Sequence, residues 1–458
     1  MSPMPTTKVI AIDDDPTGSQ TVHGCLLLTR WDPETLVEAL TDASPLCFVL
    51  SNTRGMSAAD AARVTREICV HLRAALERLA ADGELIRPLI VSRSDSTLRG
   101  HYPVETDVIA EELGPFDAHF LVPAFFEGGR ITRDAVHYLM VEGVPVPVNE
   151  TEFARDSVFG FRHAFLPDYV EEKTGGRILA RSVERFGLGA VRGDLGARLR
   201  ALEGNACCVV DAERQSDLDG FARQVLDATG EGKRFLFRSA ASLLTALAGL
   251  PPQPVPPAAM STYVRHARPG VVLMGSHVEK STRQLRHLVA ETDVIPIEIE
   301  LDRLLADEDA LLQDLLARLE TAQHADRGAV LFTSRGERRF PSAAERLAFG
   351  ECVSRFLVRI VRNLPQEIGF LVSKGGITSN DTLSEGLALR TARVLGQIRA
   401  GCSVVRCPDD HPRFPGLPVV IFPGNVGGDE ALAEVYRILA GEAQGSPGDP
   451  SIDAPRDD

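Results

Sequence analysis

The chain has 458 residues, 44% of them hydrophobic and 25% charged, enough for two or three domains each with its own core. Its 49 basic and 64 acidic residues leave a net charge of −15, which argues against nucleic acid and against an anionic membrane surface as partners. No signal peptide opens the sequence and no apolar run approaches the roughly 18 residues of a membrane span, so a soluble cytoplasmic protein is expected.

The elements are read in chain order. Val9–Ile12 predicts a buried strand, followed at once by Asp13, Asp14 and Asp15 and then Pro16-Thr17-Gly18. Thr21–Thr29 reads as a second strand, and Asp32-Pro33-Glu34 as a helix start with its cap before its proline. Leu46–Leu50 is a strand ending in Ser51-Asn52-Thr53-Arg54. Ser57 caps a long helix with Asp60 at the capping-box position. Arg87–Ser92 is a strand ending in Arg93-Ser94-Asp95-Ser96-Thr97-Leu98-Arg99-Gly100, and His119–Pro123 a strand leading into Glu127-Gly128-Gly129-Arg130. Cys207–Ala212 and Arg234–Ser239 continue the rhythm. Strands alternating with helices make βα units and a parallel sheet.

The proline-rich Pro251–Pro257 is the best boundary in the chain. Beyond it, strands are predicted at Gly270–Ser276, Gly328–Ser334, Ile368–Gly376 and Leu417–Gly428, with helices filling the intervals and a polar, proline-rich tail from Gly441 that is expected to be disordered. The eight cysteines show no CxxC spacing and read as reduced core residues. The fold class is therefore α/β, with two domains, each a largely parallel sheet flanked by helices, and an active site in the cleft between them.

Ligands of open parallel sheets bind beyond the carboxyl ends of the strands, and three carboxylates at one such end repel unless a metal, a basic group or a proton compensates. The bland alternative is a solvated turn in which Asp15 and Thr17 make local hydrogen bonds. The Arg93–Gly100 loop suits a small polyhydroxy acid, guanidinium on carboxylate and Asp95 on hydroxyls. Its bland alternative is an internal Arg–Asp pair. Arg93, nearer the strand end than Arg99, is the first choice for the acid's carboxylate, with Arg54 and Arg130 next. Glycines at Gly275-Ser276, Gly375-Gly376-Ile377-Thr378 and Gly424-Asn425-Val426-Gly427 let backbone N–H groups approach a phosphate closely. Lys280 and Lys374, two of only five lysines, flank these ends as phosphate ligands or as solvated cations. No GxxxxGK[ST] is present, and His23, His101 and His137 lack metal-ligand spacing. Two rival readings are a haloacid-dehalogenase-like phosphatase using Asp13 and Asp15, which would have to draft Lys374 and Asp409-Asp410, and a non-catalytic sugar-acid sensor.

In order along the chain, DDPTG at Asp14–Gly18, RSDSTLRG at Arg93–Gly100, VPAFFEGGRIT at Val122–Thr132, GS…T..Q at Gly275–Gln284, GGIT at Gly375–Thr378 and GLP…GNVG at Gly416–Gly427 resemble the four-carbon acid sugar kinases. The resemblance implies a sugar-acid-binding domain (1–250), a linker (251–265), a nucleotide-binding domain (266–441) and a tail (442–458). It implies ATP-dependent phosphorylation, with Mg²⁺, of a threonate-, erythronate- or oxo-tetronate-like acid. Asp14 or Asp15 would orient or deprotonate the attacking hydroxyl. The acid is expected on Asn52, Arg54, Arg93, Asp95, Ser96, Arg99 and Arg130. The nucleotide is expected on Ser276, Gly375, Gly376, Ile377, Thr378, Gly424, Asn425 and Gly427, with no metal ligand assigned and a homodimer as the assembly to look for. The chain departs from the family pattern in carrying Arg93 where many members have Lys, GGIT for GGET, and PGNVG for a Lys-Ser-Gly segment.

Overall fold

The computed structural model describes residues 5–276, 278–336, 340–424 and 426–442. The tail expected from residue 442 therefore lies outside the described residues except for Glu442 itself.

In the first half, β1 (Thr6–Asp13), β2 (Leu26–Leu28), β3 (Leu46–Leu50), β4 (Ile86–Arg93) and β5 (Ala118–Val122) belong to one sheet. A separate antiparallel sheet follows, made of β6 (Arg130–Arg133), β7 (Val136–Val141) and β8 (Val144–Pro147). The main sheet then resumes with β9 (Glu184–Phe186), β10 (Ala206–Val210) and β11 (Phe235–Ser239). Its order is β2-β3-β1-β4-β11-β5-β10-β9, and every pairing is parallel. Strands covered on both faces read as continuous apolar runs, and β1 is buried from Val9 to its end. The helix Ala58–Ala81 covers one face by burying Val64, Ile68, Cys69, Leu72 and Leu79, a 3.6-residue stripe. Ser57 caps it as expected, its hydroxyl accepting from the Asp60 N–H.

The second half contains β12 (Val271–Met274), β13 (Ile295–Ile299), β14 (Ala329–Thr333), β15 (Leu371–Lys374), β16 (Thr391–Arg399), β17 (Cys402–Arg406) and β18 (Pro418–Phe422). Here β13-β14-β12-β15-β18 are parallel, whereas β17 runs antiparallel to both β18 and β16. The β16–β17 hairpin occupies an interval that the sequence reading had filled with helix. Its outer strand, β16, pairs antiparallel with β2 through Thr391↔Leu28, Ala392↔Leu27 and Arg393↔Leu26. The two halves thus share one fifteen-stranded sheet.

The stretch expected as a linker is pinned. Gln253 accepts from the Gln397 N–H at 2.9 Å and donates to the Gln397 carbonyl at 3.1 Å, so it lies along β16. Seven of the eight cysteines are buried and all are free. No helix among the described residues is long and apolar enough to cross a membrane.

Candidate active site

β1 ends between β3 and β4, with Asp13 in register with Leu50 and Arg93. The backbone beyond is tied down on both sides: Ser51 N–H donates to the Asp13 carbonyl at 2.9 Å, Arg54 N–H to that of Asp14 at 3.1 Å, and Asp14 N–H to that of Arg93 at 3.2 Å. The three carboxylates therefore leave one short turn in different directions, into three different environments.

Asp13 is fully buried, with Oδ1 3.3 Å from Arg93 Nη1 and, among the described residues, Oδ2 without a partner. Burial raises its pKa to about 7 against the pull of Arg93, with Asp14 and Asp15 adding to the rise. Gly18 is required here, because a Cβ at that position would stand 1.8 Å from Asp13 Oδ2. Asp14 is 1% exposed and paired with Arg54 Nη2 at 2.5 Å. Burial also raises its pKa, opposed by Arg54. Asp15 alone of the three lines a cleft of about 680 Å³. Burial opposes its ionisation, but Arg54 (3.3 Å) and the hydrogen bonds from Thr17 N–H (2.8 Å) and hydroxyl outweigh it and hold its pKa below the usual range. The local Asp15–Thr17 turn is thus present, and it is also what aims an ionised carboxylate into the cleft.

Among the described residues five guanidiniums line the cleft: Arg54, Arg93, Arg99, Arg130 and Arg399. Arg54 pairs with Asp14 and Asp15, and Arg93 with Asp13. Arg99 Nε pairs with Asp95 at 2.8 Å, and its guanidinium lies over Phe153. Arg399 pairs with Glu430 and Glu434. Arg130 is the exception: among the described residues it has no carboxylate partner. Its Nη1 donates to the Gly128 carbonyl and its buried Nε meets nothing. The internal Arg99–Asp95 pair is the bland alternative noted for that loop, and burial of Asp95 is outweighed by Arg54 and Arg99, so its carboxyl stays far below the ordinary range. Arg93, the first choice for the acid's carboxylate, lines the cleft but is 4% exposed and already paired with Asp13.

The opposite wall comes from the second half. β12, β15 and β18 are neighbours, in register at Met274, Lys374 and Phe422, so their glycine ends emerge side by side. Ser276, Gly376, Gly424 and Gly427 line the cleft. A Cβ on Gly376 would lie 3.6 Å from Asp15 Oδ2, which puts the carboxylate of the first half against the backbone of the second. The positive φ belongs to Gly375 (116°), not to Gly376.

Not every expected site residue reaches the cleft. Asp14 lies beneath it. Asn52 serves through its backbone, donating to the Asp13 carbonyl at 3.3 Å. Gly375 and Thr378 sit behind the wall; the Thr378 hydroxyl fills the space where a Gly275 Cβ would go. The Ile377 side chain is 71% exposed and outside the lining. Asn425 lies outside the described residues. Ser96 does line the cleft, with its carbonyl held by the buried His137 Nε2 at 2.8 Å.

Apart from Thr53 and Glu127, which lie in strand-end stretches already noted, the other contributors had no sequence signal. Glu105 and Arg238 form a buried pair under the site, with Thr53 donating to Glu105 at 2.5 Å. Gln20, Glu127, Phe153 and Arg399 line the cleft from loops and from β16. Arg335 donates to the Ser276 carbonyl. Among the described residues no group of three or more His, Cys, Asp or Glu is arranged around a metal position. For the phosphatase reading, Asp13 is sealed beneath Gly18, Lys374 is buried, and Asp409 is paired with Arg406 at 2.6 Å.

Two family models match the chain. The sugar-binding N-terminal domain family matches residues 9–247, and the nucleotide-binding C-terminal domain family matches residues 271–432. A D-erythronate kinase of Heliobacterium modesticaldum is 30% identical over 223 residues. The match spans about half the length of that relative (47%), and 47% of this chain. Among solved structures, a Salmonella typhimurium LT2 protein superposes with a TM-score of 0.66 at 16% identity, covering 95% of this chain and 98% of its own. A Haemophilus influenzae protein of the DUF1537 family gives 0.63 at 15%, covering 94% and 100%. These two likenesses establish the fold alone.

Proposed function

The chain belongs to the four-carbon acid sugar kinase family, and from that premise we propose that it is an ATP-dependent kinase of a small, four-carbon sugar acid such as erythronate, threonate or an oxo-tetronate. In this reading residues 1–250 bind the acid, 251–265 connect the halves, and 266–441 bind the nucleotide. The observation that carries it is the meeting of Asp15 and Gly376: an ionised carboxylate from the acidic strand end lies against the glycine-rich ends in one cleft.

Phosphoryl transfer asks mainly for positioning and charge neutralisation. Asp15 accepts a hydrogen bond from the attacking hydroxyl and orients it toward the second half. It is already ionised near neutrality, as an acceptor in this role must be. Arg130, with no carboxylate partner among the described residues, takes the carboxylate of the acid, and Arg54 is kept in place by Asp14 beneath it. The backbone at Gly376 and Gly424 leaves room for phosphates, since no neighbour comes closer than 3.5 Å to where their Cβ atoms would stand, and Gly427 lines the same cleft. Mg²⁺ in kinase sites is held by one or two carboxylates together with substrate phosphates, and Asp15, facing those glycines, fits that need. When bound it neutralises phosphate charge.

The test is release of ADP against a panel of C4 to C6 aldonates and ketoacids, with and without Mg²⁺. Turnover that needs both metal and an acid is expected. Metal-dependent hydrolysis of p-nitrophenyl phosphate without ATP turnover would favour the phosphatase, and acid binding without any turnover would favour the sensor.

A further inference from the structure

The glycine ends rest on two cations, one fully buried and one partly buried. Lys374, the last residue of β15, is fully buried. Its Nζ donates to the Pro423 carbonyl at 3.1 Å and stands 4.2 Å from the centre of the Phe422 ring. The ionisable groups that face it are the Cys402 thiol, Lys280 and Arg335, and among the described residues no carboxylate pairs with it. The other fully buried lysine shows what a satisfied one looks like. Lys8 donates to two carbonyls, Asp42 at 2.7 Å and Ser44 at 2.5 Å, with the Asp42 carboxylate nearby. Lys374 has one carbonyl and two cationic neighbours. Arg335 repeats the arrangement one strand over: it donates to the Ser276 carbonyl at the end of β12, while among the described residues its buried Nε and Nη2 meet no hydrogen-bond partner.

In a trans peptide the C=O and N–H point opposite ways. Holding the Pro423 carbonyl down on Lys374 therefore sends the Gly424 N–H the other way, toward the cleft that Gly424 lines. Among the described residues no acceptor meets that N–H. A buried cation without an anion is unfavourable, and the deficit ends when an anion settles beside it. Burial, with Lys280 and Arg335 adding to it, draws the lysine's pKa down to about 8.

We propose that Lys374, seconded by Arg335, is a positioning residue for nucleotide phosphates, turning the Gly424 N–H into the cleft and holding beneath it a positive charge that the phosphate completes. The inference rests on the kinase reading and goes beyond it: the lysine is neither a solvated strand end nor a direct phosphate ligand, but acts through the Pro423–Gly424 peptide.

Lys374→Met keeps the stem and removes the charge, so it separates the two roles. Calorimetry with ADP, pyrophosphate, adenosine and erythronate is compared with thermal unfolding of the ligand-free protein. ADP and pyrophosphate should bind at least about tenfold more weakly to the variant, the loss expected for a charge-assisted contact. Adenosine and erythronate should bind as to the parent, and the ligand-free variant should unfold at the same temperature or higher. Arg335→Met should show the same pattern, more weakly. Parent-like ADP affinity in Lys374→Met overturns the proposal. So does a variant that is less stable, or fails to fold, because an uncompensated buried charge cannot be what holds the core. A parent that binds no nucleotide at all overturns the kinase reading itself, before the lysine is tested.

Discussion

Replacing Asp13 with asparagine removes one ionisable group from the most buried point of the acidic strand end. Its side chain has Arg93 at 3.3 Å on one oxygen and nothing on the other, and burial places its pKa at about 7 where an unfolded chain has 3.8. A carboxyl whose folded pKa lies above the unfolded one contributes stability that is fully present below the unfolded pKa and is lost as pH rises through the folded one. From pH 5 to the folded pKa of about 7 the unfolded chain is ionised and the native one is not. At about 1.36 kcal/mol per pH unit, two units are worth about 2.7 kcal/mol. Urea unfolding of parent and Asp13→Asn at pH 5 and pH 8.5 measures this directly. Constant differences between Asp and Asn cancel between the two pH values, as do all other titrating groups. The parent should lose about 3 kcal/mol more than the variant over that interval. If the two profiles run parallel to within about 0.5 kcal/mol, Asp13 is ionised throughout with Arg93 as its full counter-ion, and the account of the three unlike carboxylates fails.

Three other outcomes are expected. Asp15→Asn should lower kcat by about 10²–10⁴, the range of a positioned base, with nucleotide affinity little changed; parent-like turnover would make the opening stretch structural. Gly376→Val places methyl groups in the gap before the Asp15 carboxylate, and calorimetry should show ATP binding at least about tenfold weaker, about 1.4 kcal/mol, with acid binding retained. Arg130→Met should erase most of the preference for an aldonate over the matching alditol, a preference of at least about tenfold when a buried guanidinium would otherwise go unpaired. Arg99→Met, which removes a guanidinium already paired with Asp95, should leave that ratio intact.

The alternation of apolar runs and helix caps made the parallel arrays legible, since strands buried on both faces carry their signal in every residue. The hairpin β16–β17 was not legible. Arg393, Gln397 and Arg399 break its apolar run, and Gly396, at φ 133°, interrupts the ladder near a register shift. Within the site, the sequence placed carboxylates, arginines and glycines at the right strand ends, because those positions follow from topology. It does not reveal which guanidinium is already engaged. Arg93 ends β4 and Arg130 opens β6, and only the side-chain pairing, Asp13 on one and, among the described residues, no acid on the other, tells them apart. The same holds for Asp14 and Asp15, adjacent in sequence and separated by one peptide's rotation into buried and cleft-facing environments.

The β2–β16 ladder constrains how the cleft admits its ligands. A jaw hinged between two separate bodies opens by swinging about a flexible joint. Here such a swing would break the hydrogen bonds between Leu26–Leu28 and Thr391–Arg393 and unseat Gln253 from β16. The walls of the cleft are accordingly held at a nearly fixed separation by the sheet, whose softest deformation is added twist. Entry and exit then fall to what overhangs the strand ends: the segments bearing Glu127 and Phe153 on one side and Ala400-Gly401 on the other. A spin-label pair on Glu77 and Arg437, which lie on outer helices of opposite halves, should report one distance with and without nucleotide and acid. Labels on Glu152 and Ala400 should report a change.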